Sequence, residues 1–166
     1  MKVPIVMAQS ADPVADGQVA SLARPGGNIT GLSSMARELG EKRIQLLKEV
    51  FPKLSHTVAV MWNPAQFGMR ARFNEANSVA PKRLPAIYES VEFADAGGLM
   101  AYGPDVLAQY RRAAAYVDKI FKGAKPGELP IEQPTRFELA INMKTAKALG
   151  IKIPQSILLQ ATRVIE

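Results

Sequence analysis

Polar side chains follow three of the apolar segments that the sequence offers as strands. Ser10 and Asp12 follow the first segment, Asn63 follows the second, and Glu89 follows the third. Because the carboxyl ends of parallel strands meet at one edge of a sheet, this is where α/β proteins place ligands. A carboxylate there could hold an ammonium group, and the N–H groups of neighbouring helix N-termini could hold a carboxylate. These residue types therefore suit the binding of a small polar or zwitterionic molecule.

Each of these residues also has a purely structural interpretation, which the sequence leaves open. Asp12 and Asn63 each precede a proline and are typical helix N-caps, and Glu89 is typical of a solvated turn. Tyr88 and Tyr102 could contact an apolar part of a ligand or pack as core or rim aromatics. The predicted ligand-binding residues are, in chain order, Ser10, Asp12, Asn63, Tyr88, Glu89 and Tyr102.

The composition excludes several kinds of chemistry. The chain has 166 residues, no cysteine and a single histidine, so disulfides, thiolate catalysis and multi-histidine metal sites are excluded. The glycine run at residues 25–31 lacks the spacing of a phosphate-binding loop, and no G-x-S-x-G nucleophile elbow occurs. The net charge of +6 is spread over several helices that also carry acidic residues, which favours a solvated surface over nucleic-acid binding. We predict a binding protein that is not an enzyme and has no metal or cofactor.

Strand and helix patterns alternate along the chain. The longest predicted helix, at residues 105–122, carries apolar residues at spacings of three and four. The predicted strands lie at residues 3–8, 29–33, 57–62, 84–88 and 137–142, with a further short apolar strand directly after Gly97-Gly98. The other predicted helices lie at residues 15–22, 41–51, 69–79, 143–149 and 154–166. This alternation predicts an α/β fold with a mostly parallel sheet that is covered on both faces. No apolar run is long enough to span a membrane and no secretory signal precedes residue 3, so we predict that the chain as written stays in the cytoplasm.

Long collinear blocks of the sequence resemble bacterial ABC-transporter substrate-binding proteins of the type that includes tryptophan and tyrosine binders. One block reads RLPAIYESVEFADAGGLMAYGP, and together the blocks occupy residues 4–33, 41–52, 58–64, 83–104 and 111–150. The resemblance implies a partial type I periplasmic-binding-protein-like fold, in which two doubly wound lobes joined by a hinge close on a small molecule such as an amino acid. It also implies that Asp12 holds an ammonium group, that Asn63 holds a carboxylate, that an ABC-transporter permease is the partner, and that the protein works in the periplasm.

The chain departs from this family in length. Compared with that family, we expect it to lack the export signal and the first elements of the amino-terminal lobe, and we expect a second gap near residues 78–82. We predict that residues 1–166 form one compact unit, with about 1–52 and 105–135 from one lobe and about 57–103 and 136–166 from the other lobe or the hinge. A partial sheet exposes strand edges, which predicts a homodimer or a domain-swapped oligomer. The alternatives are a truncated, non-binding structural or assembly domain and a flavodoxin-like enzyme.

Overall fold

The computed structural model describes residues 2–52 and 85–166. Within them the strands are β1 (Ile5–Ser10), β2 (Ile29–Ser33), β3 (Ile87–Tyr88), β4 (Met100–Pro104), β5 (Phe137–Asn142) and β6 (Arg163–Ile165). The helices are α1 (Ala36–Val50), α2 (Val91–Asp95), α3 (Val106–Phe121), α4 (Met143–Leu149) and α5 (Gln155–Gln160). A single 3-10 turn, Pro126–Glu128, follows α3 in this part of the chain.

The chain forms two compact units, each built from two separate stretches of sequence. The first unit consists of Met1–Gly40 and Pro104–Phe137, and the second of Glu41–Gly103 and Glu138–Glu166. The polypeptide therefore passes from one unit to the other three times, within α1, at the end of β4 and at the start of β5.

The strand pairs confirm the predicted α/β class with a mostly parallel sheet. β1 pairs with β2, β3 with β4, and β5 with β6, and all three pairs are parallel. β4 and β5 are also neighbours, but they run in opposite directions. The backbone N–H of Asn142 donates to Leu99 O at 2.9 Å, and the N–H of Asp105 donates to Arg136 O at 3.3 Å, which is an antiparallel order of partners.

In the first unit, β2 is the central and most buried strand. β1 lies on one side of it, and on the other side a bridge joins Leu32 to Glu132 in the connection that follows α3. The backbone of Glu132 donates to Gly31 O at 3.0 Å and accepts from the Ser33 N–H at 2.9 Å. α3 packs on β1 and β2 through the buried residues Gln109, Ala113 and Tyr116. The first unit is thus a small sheet covered by one long helix.

In the second unit, the sheet β3-β4-β5-β6 packs around one apolar core. Its buried members are Leu46, Val50, Leu99, Met100, Leu139, Ile141, Ala146, Ile153 and Ile157. α1 contributes Leu46 and Val50 to this core. The sequence spacing of Ile44, Leu47 and Phe51 predicts that these three share the apolar face of this helix, but Ile44 is exposed. The helical phase of α1 is therefore rotated from the predicted one.

Two predicted helices are wrong. Residues 13–17 form turns and residues 18–22 are irregular. The N–H of Asp16 bonds to Asp12 O at 2.9 Å, and Gly17 adopts a φ of 67°. The predicted helix at residues 154–166 ends early, because α5 stops at Gln160 and β6 begins at Arg163. The Thr162 hydroxyl accepts a hydrogen bond from the Leu139 N–H at 2.9 Å, which holds the last residues of the chain against β5. The predicted strand at 57–62 and the helix at 69–79 lie outside the described residues.

No helix within residues 2–52 and 85–166 is both long enough and apolar enough to cross a membrane.

Candidate functional site

The first unit brings Ser10 and Asp12 to the carboxyl ends of β1 and β2. Ser10 pairs with Ser33 in register, and the backbone N–H of Ser34 donates to Ser10 O at 2.7 Å. The Ser10 hydroxyl donates to Gln18 Oε1 at 3.0 Å. The ends of both strands are therefore held together, and α1 begins two residues beyond Ser34.

Asp12 has the capping contact that its position before Pro13 suggested. Its Oδ1 accepts the backbone N–H of Ala15 at 3.0 Å, which fixes the turn after β1. Pro13 is buried beneath this turn. A carboxylate oriented in this way can still accept further hydrogen bonds through its other lone pairs. The structure thus supports the structural interpretation of Asp12 without removing its capacity to bind a cation.

Gln109 is a polar residue of this region that the sequence did not single out. Only 4% of it is exposed, and its Nε2 donates to the carbonyl oxygen of Ser33 at 3.0 Å. Its Oε1 is buried and has no hydrogen-bond partner within the described residues. Ser33 and Ser34 are buried as well. The spacing of the α3 sequence could have revealed Gln109, because it lies on the same helical face as Ala113 and Tyr116.

The second unit brings Tyr88, Glu89 and Tyr102 together. Tyr88 is in register with Ala101 on the neighbouring strand, so Glu89 follows β3 beside Tyr102. Arg43 of α1 lies against the same place, and its Nε donates to the carbonyl oxygen of Tyr102 at 2.7 Å. Burial lowers the pKa of the Arg43 guanidinium, while the negative charge of nearby Glu89 acts in the opposite direction. This edge therefore holds a half-buried cation next to an anion.

Arg43 is not among the predicted site residues, because a charged residue of an amphipathic helix is expected on its solvent-exposed face. A guanidinium has five donors, and the Arg43 contact with Tyr102 uses its Nε–H. The remaining donors are on the two terminal nitrogens of the guanidinium, a group that can bind a carboxylate in a bidentate manner.

The ring of Tyr88 is part of the packing of the second unit. It stacks on Phe93 with 5.2 Å between ring centroids and an interplanar angle of 12°. A side chain on Gly98 would collide with the same ring, so glycine allows the ring to lie against the backbone. Burial raises the pKa of the Tyr88 hydroxyl. Tyr102 is half-buried and packs on the core of this unit. Tyr88 and Tyr102 therefore pack as partly buried aromatics at the rim of the core, which is one of the two interpretations that the sequence left open.

Asn63 lies outside the described residues. Ser10 and Asp12 belong to the first unit, and the other three described site residues belong to the second. Ser10, Asp12, Tyr88 and Glu89 lie at or just after strand ends, whereas Tyr102 lies in the middle of β4. A surface concavity of about 540 Å³ runs along the outer side of α1 and holds none of these residues; it is lined by Glu41, Ile44, Gln45, Lys48, Glu49 and Pro52.

The two edges are suited to binding through charge and hydrogen bonds. Among residues 2–52 and 85–166, no group of three or more acidic or histidine side chains could hold a metal ion. The polar groups are carboxylates, hydroxyls, an amide and a guanidinium, which together complement ammonium and carboxylate groups.

The chain belongs to the family described as ABC transporter substrate binding protein, which matches residues 1–83 and 71–165. This confirms the resemblance on which the expected fold was based. A curated relative is the tyrosine-binding protein of Clostridioides difficile (strain R20291), with 32% identity over 90 residues. That match covers 54% of this chain and 24% of the relative, so the matched segment spans about a quarter of the relative's length.

Solved structures share the fold. The ABC domain in complex with L-Trp from Streptococcus pneumoniae has a TM-score of 0.80 and 21% identity, over 98% of this chain and 73% of that chain. A conserved domain protein from Vibrio cholerae O1 biovar El Tor has a TM-score of 0.82 and 24% identity, over 99% and 72% of the two chains. A ligand-free, open substrate-binding protein with adhesive properties from Clostridium difficile has a TM-score of 0.58 and 19% identity, over 99% and 72%.

Proposed function

We propose that this chain binds an amino acid with an aromatic or apolar side chain, and that it does so without chemical conversion, as the solute-recognising component of an ABC transporter. The observation that carries the proposal is that one relative by sequence and one relative by structure are both named for an aromatic amino acid. The sequence relative is named as a tyrosine-binding protein, and a structural relative was solved in complex with L-Trp. The family to which the chain belongs is itself described by substrate binding.

The residues at the two strand edges support this ligand class. An amino acid presents an ammonium group, a carboxylate and a side chain. Asp12 with Ser10 in the first unit, and Glu89 in the second, offer acceptors for an ammonium group. The proposed carboxylate contact is Asn63, and the half-buried Arg43 is an additional cation. Tyr88 and Tyr102 supply aromatic surface for an apolar side chain.

Titration calorimetry with the purified chain tests the proposal. The panel contains L-Trp, L-Tyr, L-Phe and L-Leu, with D-Trp and glycine as controls. Two derivatives separate the contributions of the charged groups, because tryptamine lacks the carboxylate and N-acetyl-Trp lacks the ammonium. We expect an L-aromatic amino acid to bind with a Kd of about 1–100 μM, and both derivatives to bind at least about tenfold more weakly. A folded sample that shows neither heat nor a thermal shift with any standard amino acid would refute the proposal.

Charge-neutral variants test the named residues. We expect Asp12→Asn and Glu89→Gln each to weaken binding by about tenfold or more, since a hydrogen bond to a charged group contributes about 1.5–3 kcal/mol. The matched control is Glu128→Gln, which removes an exposed carboxylate of the 3-10 turn. Circular dichroism of each variant separates lost binding from lost structure. Equal affinities for the parent and both site variants would remove these carboxylates from the site.

The proposed partner is a transporter permease, and the proposed location is the extracytoplasmic side of the membrane. Both follow from the family, whose members are substrate-binding components of ABC transporters. Fractionation of the native cell with an antibody against this chain tests the location. Recovery of the chain together with cytoplasmic marker proteins would contradict it.

A further inference from the structure

Three residues of the second unit meet beside Gly103, near the end of β4. The Nε–H of Arg43 donates to Tyr102 O at 2.7 Å. A Cβ built on Gly103 would collide with Glu89 O and would lie 3.7 Å from Arg43 Nη2. The guanidinium of α1 and the residue that follows β3 therefore lie on the same side of β4. All of these residues lie within Glu41–Gly103, so the arrangement belongs to one unit.

The contact with Tyr102 fixes the orientation of the Arg43 guanidinium. It engages the Nε–H, which is one of the donors of this group. The other donors are on Nη1 and Nη2, and a pair of N–H groups from these two nitrogens matches the two oxygens of a carboxylate. A lysine at this position would supply the charge but not the paired geometry. The guanidinium is therefore held in an orientation that suits end-on recognition of a carboxylate.

The balance of charge at this place favours a further anion. Burial lowers the pKa of Arg43, and this effect outweighs the opposite effect of the negative charge of Glu89. The guanidinium nevertheless stays charged at neutral pH. The folded protein thus bears a desolvation cost that its own groups offset only in part, and a bound carboxylate would offset more of it. Glu89, beside this cation, has a carboxylate that can accept from an ammonium group.

We propose that Arg43 binds the α-carboxylate of the ligand and thereby restricts the site to free amino acids, while Glu89 binds the adjacent ammonium group. In an α-amino acid both charged groups are bonded to one carbon, so they require a cation and an anion side by side, as Arg43 and Glu89 are. This inference rests on the proposed function and deepens it, because the carboxylate contact proposed above, Asn63, is neutral. Amides, amines and the first residue of a peptide would leave the half-buried guanidinium unpaired and should be rejected.

Calorimetry with matched ligand pairs tests this role. The pairs are L-Trp with L-tryptophanamide and L-Tyr with L-tyrosinamide, since each amide keeps the ammonium and the side chain but lacks the charged carboxylate. At about pH 6 the ammonium is charged in all four ligands. The parent should bind the amino acid at least about tenfold more tightly than its amide. Arg43→Gln should weaken binding of the amino acid at least about tenfold and change binding of the amide by less than about twofold.

Further variants separate charge from geometry and the cation from the anion. Arg43→Lys should give an intermediate affinity for the amino acid, because it keeps the charge without the paired donors. Glu89→Gln should weaken binding of the amino acid and of its amide to a similar degree, since both ligands carry the ammonium group. The matched control is Lys48→Gln, which removes a positive charge at an exposed position of the same helix as Arg43 and should leave all four affinities unchanged.

The ratio of the two dissociation constants in each pair is the decisive measurement. A variant that is partly unfolded loses apparent affinity for both members of a pair alike, so its ratio stays that of the parent. If Arg43→Gln weakened both members by the same factor, or neither, the inference would be overturned while amino-acid binding by the parent stood. A folded parent that bound none of the four ligands would instead refute the proposed function, and this inference with it.

Discussion

The carbonyl oxygen of Glu89 occupies the space where a side chain on Gly103 would begin. The backbone that follows β3 thus lies close against β4 at the point where Glu89 leaves the sheet. Because Glu89 is one of the predicted ligand-binding residues, the shape of this edge depends on the absence of a Cβ on the neighbouring strand. The backbone of Gly103 is in this sense part of the candidate site.

Gly103→Ala should destabilise the protein by about 2–3 kcal/mol, since the added methyl group collides with backbone rather than with a flexible side chain. Urea unfolding measures the change. Gly40→Ala is the matched control, because a Cβ on Gly40 in α1 meets no atom within 4 Å. That control should be stabilising by about 0.5–1 kcal/mol, as alanine is favoured over glycine in a helix. Equal stability of Gly103→Ala and the parent would show that the strands can separate without cost.

Arg43→Met should destabilise the protein by about 1–3 kcal/mol. The substitution keeps an unbranched apolar stem but removes the donor to Tyr102 O and the charge beside Glu89. Lys48→Met, at an exposed position of the same helix, should change stability by less than about 0.5 kcal/mol. Chemical denaturation of the two variants in parallel makes the comparison, and similar values for both would mean that the Tyr102 contact contributes little.

Asn142 should tolerate aspartate poorly even though aspartate is a good helix cap. Its Oδ1 accepts the Thr145 N–H at 3.0 Å, and its Nδ2 donates to Ala94 O at 2.9 Å. Asn142→Asp keeps the cap but sets a buried carboxylate against a carbonyl oxygen, which should cost about 2–3 kcal/mol. Asn28→Asp removes a comparable donor to Val3 O at an exposed position and should cost less. A thermal melt that ranks the two variants in the opposite order would contradict the role of the buried amide.

Stability should depend on pH through Glu132. Two hydrogen bonds from Arg112, at 2.6 and 2.5 Å, lower the pKa of the Glu132 carboxyl. A pKa that is lower in the folded state than in the unfolded chain adds stability above the unfolded value of about 4.3. That contribution disappears as the pH falls through the folded-state pKa. Because the Arg112 side chain is half-exposed, the contribution of this ion pair to the free energy of unfolding should be below about 1 kcal/mol.

Glu132→Gln should therefore lower the free energy of unfolding at pH 7 by up to about 1 kcal/mol. The parent and the variant should converge in stability as the solution is acidified below about pH 4. Urea titrations across this pH range provide the measurement. Glu128→Gln, which interrupts an exposed pair with Lys125 at 3.2 Å, is the control and should show a smaller difference. If the difference in the free energy of unfolding between the parent and Glu132→Gln grew as the pH fell, the predicted pH dependence would be wrong.

Elements that carry their own end signals could be predicted to the residue. β5 and α4 have the predicted bounds, because Asn142 caps the helix and Gly150 ends it in a left-handed conformation with φ 68°. α3 was predicted within one residue at each end, and Asp105 caps it by accepting the Ala108 N–H at 2.8 Å. In these cases the determinants lie within a few residues of the boundary, where sequence can show them.

Features that depend on distant partners could not be predicted in this way. β6 exists because Thr162 and the residues after it pair with β5, and the local pattern at 154–166 looks helical throughout. The position of Arg43 beside Tyr102 joins residues far apart in the chain, and the helical pattern of α1 gave no indication of it. Periodicity also could not decide which side of α3 meets the sheet. Ala113 and Tyr116 form the buried side, although Leu107, Tyr110, Val117 and Phe121 also recur at helical spacing and are exposed.

Among the predicted site residues, Ser10, Asp12, Tyr88 and Glu89 lie at or just after strand ends, whereas Tyr102 lies in the middle of β4. Their roles in binding stay predictions. Gln109 and Arg43 were missed because a polar side chain within a helix usually faces solvent.

The three passages of the chain between its units have a consequence for biosynthesis. The opening 40 residues belong with Pro104–Phe137, and Glu41–Gly103 must leave the ribosome in between. β1 and β2 thus have no α3 to pack against while most of the second unit is being made. The second unit in turn needs Glu138–Glu166, which supplies β6 and most of β5. Neither unit can be completed before the stretches that follow Gly103 have been made. We expect the nascent chain to become protease-resistant only after Glu138–Glu166 has been made, with chaperones protecting the early strands until then.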